Sequence, residues 1–156
     1  MEILYAIDPF SWNAIGTTLL CGFIIGLERQ LRGKPVGIRT SILITLGTYV
    51  FIMMAASVSN NATDPSRAIG QVITGVGFLG AGVMLSRDGV VLGVTSAATI
   101  WALASLGVCI GTGHYVTAIK VALIIICVLV GVETLEKYFQ SLTRGVHKKY
   151  KVWRRK

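Results

Sequence analysis

Residues 38–58 read IRTSILITLGTYVFIMMAASV, an apolar run in which Arg39 is the single charged residue. A helix rises 1.5 Å per residue, so about 20 apolar residues cross the hydrocarbon core of a bilayer. A helix also satisfies its own backbone hydrogen bonds, which matters in hydrocarbon because no water is present there. The run therefore predicts a transmembrane helix.

Four further apolar runs accompany this one, at about 10–27, 68–85, 90–110 and 115–135. Hydrophobic residues make up 53% of the 156-residue chain and charged residues only 14%, against about a quarter charged in soluble domains. A soluble domain of this size could not bury so much apolar surface. We expect an all-α integral membrane protein with a five-helix transmembrane bundle over residues 1–135, followed by a tail over residues 136–156.

The net charge of +8 is concentrated in two basic segments, one between the first two runs and one in the tail. Lys and Arg beside membrane spans accumulate on the cytoplasmic side. This predicts an outside N-terminus and a cytoplasmic C-terminus. The tail also carries Tyr138, Phe139, Tyr150 and Trp153, a mixture that favours contact with anionic lipid headgroups. A merely solubilising tail is the alternative, and nucleic acid is not an expected partner.

Six polar residues fall at span ends on the predicted cytoplasmic side: Glu28, Arg29, Arg39, Thr40, Thr95 and Glu133. A carboxylate near hydrocarbon is costly unless it is paired. We therefore expect Glu28 and Glu133 to meet Arg29 or Arg39. Two interpretations stay open: an ion-pair cluster that locks helix ends together, or a site for a cation or a partner protein.

A second polar cluster, on the predicted outer side, consists of Asp64, Arg67 and Gln71. Their i, i+3, i+7 spacing puts them on one face if the third helix begins at or before Asp64. Asp64 is then a candidate N-cap, and Pro65 occupies the first turn, where its missing N–H costs nothing. The alternative is an entry site for a cation.

Glycine is frequent in the third run, which contains GVGFLG at residues 75–80. This matches the dinucleotide fingerprint G-x-G-x-x-G, but an acidic residue about 20 positions on is missing. Glycine in a membrane helix instead permits close approach of a neighbouring backbone. We predict a tightly packed third helix, with a broken or flexible helix as the alternative, and helix packing at Gly22, Gly26, Gly75, Gly77, Gly80, Gly82, Gly107 and Gly111.

Signs of catalysis are missing from the sequence, which has no catalytic triad, Cys/His pair, P-loop or H-E-x-x-H motif. Cys21, Cys109 and Cys127 lie inside apolar runs without C-x-x-C spacing, so neither a zinc site nor a redox pair is predicted. We expect a protein that is not an enzyme and has no resident cofactor.

Three stretches carry a resemblance to a known family: GLERQLRGKPVGIRTSILITLG at 26–47, DPSRAIGQVITGVGFLGAGVML at 64–85 and GVTSAATIWALASLGVCIGTGHY at 93–115. They resemble the MgtC/SapB family of bacterial membrane proteins. The resemblance implies an inner-membrane protein of low-magnesium and stress adaptation, linked in pathogens to survival inside host cells. Its motif residues map onto Glu28, Arg29, Arg39, Thr40, Asp64, Arg67, Gln71, Gly75, Gly77, Gly80, Gly82, Thr95, Thr99 and Trp101.

The resemblance also implies a mode of action. Better-studied members resemble regulators of other membrane machinery, including the ATP synthase and magnesium-uptake pumps. Longer members carry a soluble C-terminal domain after the fifth span, so the expectation here is the membrane module alone.

Two functions from different classes follow. The first is a regulator that binds partner membrane proteins through small-residue helix faces, with a homodimer through such faces also open. The second is a small cation transporter or channel, with Mg²⁺ as its ion. Its route would lead from Asp64 and Gln71, past the glycine-rich helix, to Glu28 and Glu133.

Overall fold

The computed structural model describes residues 7–58, 64, 66–87 and 90–138. This part of the chain contains five helices and one two-stranded hairpin. In chain order they are α1 (Trp12–Leu31), α2 (Ile38–Val58), α3 (Ser66–Gly82), β1 (Leu85–Arg87), β2 (Val90–Leu92), α4 (Val94–Gly111) and α5 (Tyr115–Tyr138). Helix α5 continues past residue 135, where the tail was predicted to begin, and the rest of the tail lies outside the described residues.

Four of the described helices, α1, α2, α4 and α5, are long and apolar enough to cross a membrane. Helix α3 is shorter, because its 17 residues extend over about 26 Å, against about 30 Å for the hydrocarbon core. A fifth crossing therefore stays a prediction, and so do the positions of the two termini.

The hairpin corrects the predicted helices at 68–85 and 90–110, which are wrong where they approach each other. Residues Leu85–Arg87 pair antiparallel with Val90–Leu92, so Arg87 faces Val90 across the hairpin. Periodicity cannot separate segments of only three residues from helix ends. The intervening Asp88-Gly89 was the available signal, because this dipeptide favours two-residue hairpin turns.

Gly93 joins the hairpin to α4 in a conformation that favours glycine. Its φ is +86°, and a Cβ there would lie 2.3 Å from the carbonyl oxygen of Val83. Gly113 has nearly the same φ, +85°, but a Cβ there would meet nothing within 4 Å. The two glycines therefore separate the cost of backbone strain from the cost of a clash.

We expect Gly93→Ala to destabilise the fold more than Gly113→Ala does. Both variants add backbone strain, because both positions have a positive φ. Only Gly93→Ala also adds a clash with the backbone, and overfilling a packed site costs about 1–3 kcal/mol. Unfolding titrations of the two variants in the same detergent measure the difference. Equal losses would show that the hairpin gives way to the added methyl group at no cost.

Helix α2 packs between α1 and α4, and glycines allow close approach on both sides. A Cβ at Gly22 or Gly26 would lie 2.7 or 2.5 Å from the Cα of a residue in α2. A Cβ at Gly107 would lie 2.6 Å from the carbonyl oxygen of Thr45, and one at Gly111 would lie 2.7 Å from Cγ2 of Ile52. Gly22, Gly26 and Gly107 therefore lie against backbone atoms of α2, and Gly111 lies against a side chain of α2.

The glycine-rich helix α3 is packed differently from the prediction. Val76 and Gly80 are its buried residues, and a Cβ at Gly80 would meet Ala97 of α4 at 3.6 Å. A Cβ at Gly75, Gly77 or Gly82 would meet nothing within 4 Å. The predicted close packing is therefore not found at these three positions, because α3 contacts its neighbours along one side only.

Candidate functional site

Arg32 joins the ends of α1 and α5. Its Nε donates to Oε1 of Glu28, one turn earlier on α1, at 2.7 Å. Its Nη1 donates to Oε2 of Glu133 on α5. The two carboxylates thus meet at Arg32, whereas the sequence predicts Arg29 or Arg39 as their partner. The i, i+4 spacing explains the pairing with Glu28, since it places Glu28 and Arg32 on the same face of α1.

Arg29 faces α4 instead and is only 3% exposed. Its Nη2 donates to the Ser96 hydroxyl near the start of α4, and its Nε donates to the carbonyl of Pro35 at 3.2 Å. The charge is thus hydrogen-bonded to the α1–α2 connection and to α4. We call Glu28, Arg29, Arg32, Ser96 and Glu133 the Arg32 cluster, and the end of the bundle that holds it the Arg32 end.

One buried oxygen of Glu28 has no hydrogen-bond partner among the described residues. Oε2 of Glu28 is buried and accepts no hydrogen bond from the described residues, although Oε1 of the same carboxylate is paired. Buried polar atoms without partners are uncommon and invite a functional explanation. Within the described ranges, no three His, Cys, Asp or Glu side chains lie close enough together to hold a metal ion.

The other predicted members of the cytoplasmic-side group lie elsewhere. Arg39 and Thr40 are exposed and line an open groove between α2 and α3. Thr95 is also exposed, and its carbonyl accepts from the Thr99 hydroxyl at 2.8 Å. Of the six predicted residues, the Arg32 cluster therefore contains Glu28, Arg29 and Glu133.

Two members of the Arg32 cluster, Arg32 and Ser96, are missing from the predicted site. Arg32 had a usable signal, because it follows Glu28 by four residues on a helix. Ser96 had none, since a serine near the start of an apolar run does not reveal which neighbour it contacts.

The groove between α2 and α3, called the α2–α3 groove, has a volume of about 820 Å³. Its lining includes Arg39, Thr40, Leu43, Phe51, Gln71 and Gly75. The lining is mainly apolar, with a cation at the Arg32 end and an amide towards the other end. Gln71 therefore belongs to this groove and not to a cluster with Asp64.

Asp64 caps the start of α3, as the N-cap interpretation predicts. Its Oδ1 accepts from the backbone N–H of Ser66 at 2.9 Å, and its Oδ2 accepts from the Ser66 hydroxyl at 2.7 Å. Its carbonyl accepts from the N–H of Arg67 at 3.1 Å. These hydrogen bonds from the side chain and backbone of Ser66 lower the pKa of Asp64. No hydrogen bond or ion pair between side chains joins Asp64, Arg67 and Gln71 in the described part of the chain.

This cap predicts a pH-dependent start of α3. A carboxyl whose pKa is lowered on folding stabilises the fold at pH values above its ordinary pKa, which is about 3.9 for Asp. That contribution is lost as the pH falls through the lowered pKa of the folded state. Hydrogen-exchange protection of the Ser66 amide, corrected for intrinsic rate, is expected to be constant from pH 7 to pH 5 and to fall below about pH 4. Asp64→Asn keeps an acceptor but does not titrate, so its protection should not follow pH.

Comparison of the sequence with known proteins finds relatives that cover most of this chain. Protein SapB of Bacillus subtilis strain 168 is 36% identical over 143 residues, which cover 86% of this chain and 60% of SapB. Protein MgtC of Salmonella typhimurium strain LT2 is 38% identical over 127 residues, or 81% of this chain and 54% of MgtC. No solved structure matches the chain.

A third relative, from Escherichia coli strain K12, is named "Putative magnesium transporter YhiD". It is 39% identical over 148 residues, which cover 90% of this chain and 66% of the relative. The chain thus spans between 54% and 66% of the length of these three curated relatives. The family model described as the MgtC family matches residues 15–138. The resemblance is confirmed: the chain is a multi-pass membrane protein that belongs to the MgtC family.

Proposed function

We propose that this chain is a regulatory membrane module that binds other membrane proteins, and that it is neither a transporter nor an enzyme. The observation that carries the proposal is the uncovered outer face of α3. Gly70, Thr74, Gly77 and Ala81 are all exposed there, at i, i+4, i+7 and i+11, which is one helix face. Phe78 beside them is 77% exposed.

The expected occupant of this face is a transmembrane helix of another protein. A Cβ at Gly70 or Gly77 would meet nothing within 4 Å, so an incoming backbone could approach closely. The chain uses the same spacing internally, since Gly22 and Gly26 lie four residues apart at the contact with α2. By family resemblance, the ATP synthase and magnesium-uptake pumps are the partners to test.

The geometry of the Arg32 cluster supports the same choice. The transport route needs Glu28 and Glu133 to be available to a cation, yet Arg32 bonds to both carboxylates. A cation arriving there would also approach the buried charge of Arg29. The basic residues at the Arg32 end support a cytoplasmic location for this end of the bundle. The membrane would be the inner membrane of a bacterium.

One observation favours the second candidate, a small cation transporter. The unpartnered Oε2 of Glu28 is an acceptor that an ion or its water shell could use, and Mg²⁺ needs few carboxylates because it retains water. Mg²⁺ flux into proteoliposomes separates the two candidates. We expect no saturable flux, and flux that Glu28→Gln abolishes would establish transport instead.

The partner proposal is tested by cross-linking inside the membrane. A photo-reactive residue at Thr74 should cross-link to a membrane subunit of the ATP synthase or to a magnesium pump, identified by mass. Gly77→Leu should abolish the product by covering the small-residue face, whereas Gly16→Leu should not. Gly16 is also an exposed helical glycine with nothing within 4 Å of a Cβ, but it lies on α1. Products restricted to lipid, or unchanged by Gly77→Leu, would contradict the proposal.

A further inference from the structure

The α2–α3 groove combines a cationic mouth with a long apolar floor. We propose that it binds one anionic phospholipid, with the phosphate at Arg39 and Thr40 and one acyl chain along the groove. This inference is independent of the proposed function, because the groove side of α3, with Gln71, Gly75 and Leu79, is a different face from the one that carries Gly77.

The mouth of the groove has hydrogen-bond donors that are not used within the protein. Arg39 and Thr40 are the second and third residues of α2. Among the described residues, neither their side chains nor their backbone N–H groups have a hydrogen-bond or ion-pair partner. The start of a helix also carries a partial positive charge that favours anions. No carboxylate of the described residues lines the groove, so the mouth suits an anionic oxygen group.

The length of the groove matches an acyl chain. From Arg39 to Phe51, both of which line it, the helix rises about 18 Å, close to the roughly 15 Å thickness of one hydrocarbon leaflet. Gly47 and Gly75 line the two walls, and a Cβ at either would meet nothing within 4 Å. The missing side chains leave the space that a chain of methylene groups would fill.

Other occupants fit only half of this arrangement. A neutral lipid would fill the apolar floor but leave the donors at Arg39 and Thr40 unused. A small phosphate ester would use the donors but leave the apolar walls uncovered. The basic tail of this chain would bring Lys and Arg towards Arg39, which like-charge repulsion opposes. An anionic phospholipid satisfies both ends of the groove.

Native mass spectrometry of delipidated protein in detergent tests the proposed contact between the lipid headgroup and Arg39. Phosphatidylglycerol is compared with phosphatidylcholine of the same acyl chains, which carries the same phosphate but adds a choline cation that Arg39 repels. We expect one retained phosphatidylglycerol per chain, bound at least about tenfold more tightly than phosphatidylcholine. Arg39→Gln should remove this preference and Arg67→Gln should not, since Arg67 is also exposed but lies outside the groove.

A pair of glycine variants tests whether the acyl chain lies in the groove. Gly75→Leu fills the groove, whereas Gly77→Leu adds the same side chain on the outer face of α3; neither added Cβ meets an atom within 4 Å. We expect Gly75→Leu to weaken phosphatidylglycerol binding at least about tenfold and Gly77→Leu to leave it unchanged. The proposal is overturned by equal binding of the two lipids, by equal effects within either variant pair, or by displacement of the lipid with glycerol phosphate.

Discussion

Gly26→Leu is expected to separate α1 from α2 and to lower the free energy of unfolding by about 3 kcal/mol or more, the upper end of what overpacking costs. The reason is that a Cβ at Gly26 would lie 2.5 Å from Cα and 2.9 Å from the backbone N of Ile38. Backbone atoms cannot rotate away as the end of a flexible side chain can. The two helices must therefore move apart and lose their common contact.

The loss is measured by unfolding in a denaturing detergent, with Gly16→Leu as the matched control. Gly16 lies on the same helix with nothing within 4 Å of an added Cβ. Leucine is also a better helix former than glycine, so this variant should be as stable as the parent or slightly more so. Similar losses in the two variants would mean that helix composition, rather than the contact with α2, determines stability.

Arg32→Met is expected to destabilise the bundle by about 3 kcal/mol, because removing one partner of a buried ion pair costs about 3–5 kcal/mol. We expect the lower end of this range, because the Arg32 side chain is 23% exposed and is therefore only partly buried. Two carboxylates, Glu28 and Glu133, lose their common partner in this variant. The cost is thus mainly that of removing the cation that pairs with both carboxylates near hydrocarbon.

Rescue distinguishes this charge effect from packing. Adding Glu28→Gln and Glu133→Gln to Arg32→Met removes the two negative charges that Arg32 pairs with, so most of the lost stability should return in the same unfolding titration. If the triple variant stays as unstable as Arg32→Met, the stem of Arg32 contributes through its packing, and the ion pairs contribute little.

Much of the helical part of the fold follows from local sequence. The apolar run at 38–58 has the same bounds as α2, because hydrophobicity and span length act on each run separately. Asp64 was predictable as a cap for the same reason, since the groups it accepts from lie within three residues. Periodicity could not reveal the hairpin at Leu85–Leu92, because strands of three residues are too short to show a period.

The arrangement of the candidate site depends on how helices turn towards each other, and a single sequence does not give that rotation. Glu28 and Glu133 were expected at a cation, but the choice of Arg32 over Arg29 depends on which side of α1 faces α5. The glycines of α3 illustrate the same point. Gly26 and Gly75 both lie inside apolar runs of the sequence. In the structure, however, Gly26 touches a neighbouring backbone and Gly75 lines an open groove.

The glycine contacts on both sides of α2 have a mechanical consequence. Where backbones touch with no layer of side chains between them, there are no rotamers to rearrange, and packed interiors are stiff. Helices α1, α2 and α4 should therefore move as one rigid body. Helix α3 lies outside this body, with one side uncovered and a groove on another. A change of shape caused by a molecule that binds at α3 would then consist of displacement of α3 and its hairpin against an unchanged three-helix block.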